Sequence, residues 1–274
     1  MIKASLLITS YLCSHLLKWN LASLARQQMP FSFETIVLND GLPDESEQLC
    51  RLYENQLNIR YVFTGQRNQP GRMVYRVPGF ALNIGARLAR GEILIISGAE
   101  MFHLNQTIAH LVKPLQYDAQ LLTTSIGMDD DGSFLAYLEK SGGYFDWNSY
   151  FSIYPRLNPR LPFLMAMNRR QFLDIGGYDE DMIGFAYDDD DLMDRLLFSG
   201  CNIYLTQALT IHLFHHGRVK EHGDSPETLY NAQLYRSRKG KILRNQNHEW
   251  GRLEVPPEES LEERRRRIFA LENV

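Results

Sequence analysis

The sequence predicts an α/β domain built on a mostly parallel central sheet flanked by helices. Two observations carry this. Apolar runs without polar alternation recur through the first third of the chain, and segments of helical spacing separate them. A strand buried on both faces reads as such a run, and strand–helix alternation at this pace is the mark of parallel sheets.

The elements follow in order. Ser5 to Ile8 is the first strand, and Leu17, Leu21 and Leu24 then repeat at helical spacing up to Arg26. Thr35 to Leu38 is the second strand, closed by the turn-forming Asn39-Asp40-Gly41. Ser46 to Asn58 reads as a helix with Leu49, Leu52 and Leu57 inward, and Ile59 to Phe63 as the third strand. Asn83 to Arg90 is a helix that Gly91 stops, and Glu92 to Ile96 is the fourth strand. In such sheets ligands gather at the carboxyl ends of the strands, here Thr9-Ser10-Tyr11, Asn39-Asp40 and Ser97-Gly98-Ala99-Glu100.

The second half is less regular. Leu161 to Met167 and Asn202 to Thr206 are strand candidates around a helix near 190–198, and Ala208 to Phe214 is a further strand. Arg218 to Ser225 is polar and reads as a mobile loop. After Pro256-Pro257, the capping box Ser260–Glu263 and the pairs Glu262/Arg266 and Glu263/Arg267 predict a solvated helix over Glu258–Glu272. The chain divides into one domain, 1–240, with halves 1–115 and 116–240, followed by a C-terminal helical extension, 241–274.

Composition narrows the function. A hydrophobic fraction of 44% supports a substantial core, and a net charge of −4 supplies no basic field for nucleic acid. The cysteines Cys13, Cys50 and Cys201 stand far apart, which predicts buried thiols in a reducing compartment and neither disulfides nor a zinc site. The apolar N-terminal run is too short for a signal peptide, and no stretch reaches the roughly 18 apolar residues of a bilayer span. A cytoplasmic protein without a transmembrane segment is expected, with peripheral membrane contact open.

The strongest local signal is acidic. Eight acids lie between Asp179 and Asp194 with no basic residue among them, four of them adjacent, Asp188 to Asp191. Acids at a helix N-terminus complement its dipole by about 0.3–1 kcal/mol each. Four adjacent carboxylates repel one another and exceed what capping needs, so at least one is held for function. His212, His215 and His216 follow an apolar strand, and neutral imidazoles with a nearby carboxylate suit a divalent metal. On an extended strand His212 and His216 share a face and His215 points away, so the three converge only if the chain bends. Asp129-Asp130-Asp131-Gly132 reads as a hairpin turn, and Arg264 to Arg267 as part of a solvated helix whose charge the preceding glutamates balance.

These elements, in this order, resemble family 2 glycosyltransferases of the GT-A (Rossmann-like) fold from about Ile2 to His216. Ser5 to Tyr11 looks like the family's first strand, whose end holds the nucleotide base, and Phe33 to Gly41 like its second, whose final Asp accepts from the base. The resemblance implies Thr9, Tyr11, Asp40, Arg76 and Asn83 as donor-binding residues. It places Glu100 as the acid that binds the metal and Ala99 where an Asp usually touches the ribose. Gly176-Gly177-Tyr178-Asp179-Glu180, followed by Asp188-Asp189-Asp190-Asp191, is similar to the galactosyltransferase type of C-terminal segment. There the second acid of the run is the base, which implies Asp189, with Asp188 beside the acceptor. A metal-binding histidine before a flexible loop implies His212 or His215. Trp147 and Tyr144 would stack on acceptor sugars or pack in the core.

The resemblance thus implies a metal-dependent, inverting transfer of a sugar from a nucleotide diphosphate donor, most plausibly UDP, to a glycan or other hydroxyl in polysaccharide biosynthesis. Mn2+ or Mg2+ would be the cofactor. Two rivals remain: a non-catalytic glycan- or nucleotide-sugar-binding protein on the same fold, and a nucleotidyltransferase. The latter would carry a glycine-rich basic phosphate loop, and Thr9 to His15 has none.

Overall fold

A computed structural model describes residues 2–40, 43–64, 77–145, 162–215 and 225–253, together with 262, 263, 266 and 269. Arg76, Trp147, His216, the polar segment 216–224 and most of the expected helix over 258–272 lie outside these residues.

The described chain forms one eight-stranded sheet. Its strands are β1 (Ala4–Ser10), β2 (Phe33–Asn39), β3 (Ile59–Phe63), β4 (Ile93–Gly98), β5 (Met101–His103), β6 (Leu121–Met128), β7 (Leu164–Asn168) and β8 (Asn202–His212). Their spatial order is β3-β2-β1-β4-β7-β6-β8-β5. The first half is parallel throughout, β3 with β2, β2 with β1 and β1 with β4. β7 enters antiparallel between β4 and β6, and β5 closes the far edge antiparallel to β8. The two strands expected over 202–206 and 208–214 are one strand, β8, which runs parallel to β6 through two register shifts.

The helices are α1 (Ser14–Leu24), α2 (Ser46–Tyr53), α3 (Pro78–Leu88), α4 (Thr107–Leu115), α5 (Ser133–Ser141), α6 (Arg169–Asp174), α7 (Asp188–Phe198) and α8 (Pro226–Ser237). The apolar runs divide residue by residue between the two sheet faces. Leu6, Ile8, Val37, Ile93 and Ile95 pack with Leu17, Leu21 and Leu24 of α1 and Leu111 of α4. Leu7, Ile36, Leu38, Leu94 and Ile96 pack with Ala81 and Leu82 of α3 and Leu192 and Leu196 of α7. Period-two alternation with both sets buried is the geometry the runs predict, each such side chain contributing about 1.5–3 kcal/mol.

Several expectations need correction. Leu52 is 71% exposed; Cys50 takes the inward place on α2, because that helix ends at Tyr53 and presents a narrower face than a longer one. Asp129-Asp130-Asp131 is not in a hairpin. Asp129 is buried and accepts from the N–H groups of Phe134 and Leu135, so it caps α5. Residues 241–253 form an irregular segment packed on the domain, with Trp250 under the Arg87 guanidinium at 4.0 Å.

That segment is held by charge. Arg244 is 5% exposed and bridges Asp191 of α7 at 2.6 Å and Asp179 of the Gly-Gly-Tyr loop at 3.0 Å. Arg195 of α7 pairs with Asp191 at 2.7 Å and donates to the carbonyls of Ile175 and Gly177. Arg238 closes the set, 2.5 Å from Asp179 and 2.8 Å from Asp181. Three cations thus meet three carboxylates, and burial of each charge is matched. Arg244→Met removes one partner while Arg238 and Arg195 remain, so we expect a loss of about 3 kcal/mol, near the low end for a broken buried pair. Urea unfolding measures it; a loss below roughly 1 kcal/mol would mean the segment is not anchored there.

Candidate active site

The turn between β4 and β5 places Glu100, and the register of β5 on β8 brings the histidines to it. Met101 pairs with His212, and the Leu213 N–H donates to the Glu100 carbonyl at 2.8 Å. The strand ends at His212, and in the irregular stretch just beyond it the His215 ring lies beside that of His212. Glu100 Oε1 lies 3.5 Å from His212 Nε2, and the His212 and His215 ring centroids are 5.0 Å apart. One ligand atom from each of the three lies within 4.8 Å of the others. Phe163 packs edge-on against His212 at 5.1 Å and helps fix its ring. Burial pushes the Glu100 carboxyl up, but the hydrogen bond from His212 and the positive potential of both imidazoles outweigh it, so the group lies below its ordinary value.

Donors around one ion at about 2.0–2.2 Å stand no more than about 4.4 Å apart, so shifts of a few tenths of an ångström suit this trio to a divalent cation. The choice between His212 and His215 therefore falls away, since both reach Glu100. His216 lies outside the described residues.

Gly98 is part of the same device. A Cβ there would lie 2.1 Å from Glu100 Oε1 and 2.4 Å from its Cδ, so the carboxylate folds back over a residue that must lack a side chain. Ala99, by contrast, is fully buried and packs in the core beneath the sheet.

The trio opens on a cavity of about 580 Å³. Thr9, Tyr11, Asp40, Glu100 and His215 all line it, with Pro78, Phe185 and Phe214 among the apolar walls. Three of the expected donor residues thus share one space with two of the expected metal ligands. Asp40 is nearly buried, its N–H donating to the Ser10 carbonyl and its Oδ1 accepting from Thr64 Oγ1 at 2.5 Å. Cys13 also lines the cavity and is half-buried, unlike Cys50 and Cys201, and none of the three forms a disulfide.

Asn83 is not in this cavity. It is fully buried; its Nδ2 donates to the Tyr178 carbonyl and Glu180 Oε1, and its Oδ1 accepts from the Tyr178 N–H. Its hydrogen-bonding capacity is spent tying α3 to the Gly-Gly-Tyr loop, so it is a structural residue and not a donor ligand.

Asp189 stands at the N-terminus of α7 and is half-buried, with Tyr178 Oη donating to its Oδ1 at 3.0 Å. Burial and the charge of Asp188 raise it, the Tyr178 hydroxyl lowers it, Asp190 raises it further, and it is pushed up to about 8. Asp188 is buried at the same helix end, and neither residue lines the donor cavity, although Phe185 just upstream does. The loop into α7 is strained: Ala186 and Tyr187 both have positive φ, 71° and 70°. Such residues cost about 1–3 kcal/mol each and persist where neighbours over-determine them. Asn231 of α8 does so, donating from Nδ2 to the carbonyls of Ile183, Phe185 and Ala186. Tyr144 is 65% exposed, which excludes it from the core.

Sequence reasoning missed Asn231, Arg244 and α8. The capping Ser225 followed by Pro226 was the available signal for α8, whose Ser225 Oγ accepts from the Thr228 N–H. Nothing local marks the partners of Asn231 and Arg244.

Comparison with known proteins agrees with this geometry. Residues 5–175 match the profile of glycosyl transferase family 2, which is more than half of the chain. The chain belongs to glycosyl transferase family 2. Residues 162–219 match a second profile, described as the N-terminal domain of galactosyltransferase, which spans the acidic run, His212 and His215. Among curated relatives of this family 2 member, validoxylamine A glucosyltransferase of Streptomyces hygroscopicus subsp. limoneus is 40% identical over 91 residues, 33% of this chain and 18% of that protein. Hyaluronan synthase of Pasteurella multocida is 31% identical over 97 residues, 35% of this chain and 9% of that protein. The chain therefore matches less than a fifth of these relatives' lengths. Among solved structures, GalNAc-T7 with UDP, GalNAc and Mn2+ superposes with a TM-score of 0.60 at 16% identity, over 86% of this chain and 50% of that one. TarS 1–349 of S. aureus in complex with UDP-GlcNAc gives 0.58 at 16% identity, over 85% and 65%. These likenesses show a shared GT-A fold. Among the described residues no helix is long and apolar enough to cross a membrane.

Gly98→Ala tests the site's construction. The added methyl must displace the Glu100 carboxylate, so Mn2+ affinity by calorimetric titration should fall about tenfold or more, the scale of lost outer-shell support. Thermal stability should hardly change, and an unaltered Mn2+ isotherm would refute the role given to Gly98.

Proposed function

We propose that this family 2 member transfers a sugar from a nucleotide diphosphate donor, most plausibly a UDP-sugar, to a hydroxyl acceptor with inversion at the anomeric carbon. The observation that supports this best is the single cavity shared by Thr9, Tyr11, Asp40, Glu100 and His215. Asp40 in its lining suits a base edge, and Glu100 and His215 in the same lining would meet the diphosphate. Arg76, two residues before the cavity-lining Pro78, is proposed to face that diphosphate. Similar structures were solved with UDP and Mn2+, with UDP-GlcNAc, and with GDP-Man and Mn2+.

Glu100, His212 and His215 would hold the divalent ion. Two imidazoles and one carboxylate favour Mn2+ over Mg2+, which prefers all-oxygen shells. Such an ion supplies positive charge against the leaving diphosphate, the kind of electrostatic stabilisation that contributes most to many enzymes. Asp189 takes the proton from the acceptor hydroxyl as that oxygen bonds the anomeric carbon and the bond to the diphosphate breaks. Asp188, beside it, and Trp147 are proposed to touch the acceptor. A non-catalytic sugar-binding protein would need neither a strained loop before Asp189 nor a raised base there.

Release of UDP from a panel of UDP-sugars, with and without Mn2+, tests the reading. Asp189→Asn should lower kcat by about 10²–10⁴ with donor affinity kept; near-normal turnover would remove Asp189 as the base. Glu100→Ala should abolish Mn2+-dependent UDP binding in calorimetry. The sign of the pH dependence follows from Asp189. The base acts only when deprotonated, so kcat/KM should rise with pH through about 8. Asp188→Asn removes a neighbouring negative charge and should move that limb to lower pH; a limb near the ordinary carboxylate range in the parent enzyme would count against Asp189.

A further inference from the structure

We infer that Tyr178 is the positioning residue of the general base, its hydroxyl fixing the Asp189 carboxylate through Oδ1 and leaving Oδ2 to receive the acceptor proton. This deepens the proposed function and rests on Asp189 being the base.

The Tyr178 side chain is 1% exposed and is held from several directions. Phe172 packs edge-on against its ring at 6.0 Å. On the other side α3 yields to it, since a Cβ on Gly79 would lie 2.2 Å from the ring Cδ1. The main chain is fixed as well, with the N–H donating to Asn83 Oδ1 and the carbonyl accepting from Asn83 and Asn245. Ring and backbone thus have no freedom, and the hydroxyl arrives 3.0 Å from Asp189 Oδ1. A buried phenol must find a partner. Here it takes the carboxylate of the base and no backbone carbonyl. Packing alone would be satisfied by Phe.

The charges facing Asp189 are Asp188 and Asp190 on its own helix, both of which oppose its ionisation, and Tyr178 is the group that favours it. Tyr178 itself is pushed well above its ordinary value, by burial first and then by Asp189 and Asp188, against a smaller opposing influence of Arg195. It therefore remains a neutral donor throughout the working range. A neutral donor orients the base without cancelling its charge, so basicity survives.

The test needs no acceptor. In protein carrying 13C-carboxyl aspartate, the resonance that titrates near 8 and vanishes in Asp189→Asn belongs to Asp189. Tyr178→Phe should move that titration upward by about one pH unit, the scale of one lost hydrogen bond to a charged form. The acidic limb of Mn2+-dependent UDP release should move with it, with kcat at neutral pH falling about tenfold and the donor KM holding. Difluorotyrosine placed at 178, a stronger donor of the same shape, should move both downward, and it serves if the Phe variant folds poorly. A titration that stays in place in either variant overturns the inference. Retained turnover in Asp189→Asn would instead overturn the base assignment, whatever the titration does.

Discussion

The pairing of β5 with β8 is the joint on which the site depends. It is only three residues long, Met101 to His103 against His212 to Thr210. Yet it fastens the turn that carries Glu100 to the strand end that carries His212, and the Leu213 N–H extends the ladder to the Glu100 carbonyl. Glu100 belongs to the parallel half and the histidines to the mixed half. The sheet already joins the two halves through β7 and β6, and this antiparallel contact at its far edge adds the direct link between the two ligand sets.

A second constraint acts below the acidic helix. Arg195 and Arg244 share Asp191, and Arg244 and Arg238 share Asp179, so α7, the Gly-Gly-Tyr loop and residues 238–244 form one charged knot. Desolvation of Asp179 opposes its ionisation, but Arg238 and Arg244 overcome this and hold it below the ordinary carboxylate value. Ion pairs of this kind add little net stability compared with apolar packing but are costly to break, so they fix a single arrangement. Residues 238–244, which lie beyond both matching profiles, are thereby tied to α7 and the Gly-Gly-Tyr loop.

How much of this the sequence discloses depends on distance along the chain. The four parallel strands are legible because burial on both faces writes itself as local apolar runs, and Thr9, Tyr11 and Asp40 are legible because strand ends are where ligands sit. The histidine choice was not, since the packing of His215 beside His212 past the end of β8 has no local signal. Asn83 misled because a polar residue on a helix near a strand end has the same local appearance whether it faces a ligand or a loop nearly a hundred residues away. Leu52 misled because helical spacing does not say where the helix stops. Asn231 and Arg244 act wholly through tertiary contacts, and no periodicity points to them.

The four adjacent aspartates finally separate by what each one meets. Asp191 faces two guanidiniums, Arg195 at 2.7 Å and Arg244 at 2.6 Å. Asp189 meets a phenolic hydroxyl, with Asp188 and Asp190 on either side of it in sequence. Burial first, and then the charges of Asp188 and Asp190, raise Asp189 against the hydrogen bond from Tyr178. The positive-φ residues Ala186 and Tyr187 stand at the entry to this helix end. Asn231 and the charged knot hold the entry loop and the body of α7 in place around this cluster.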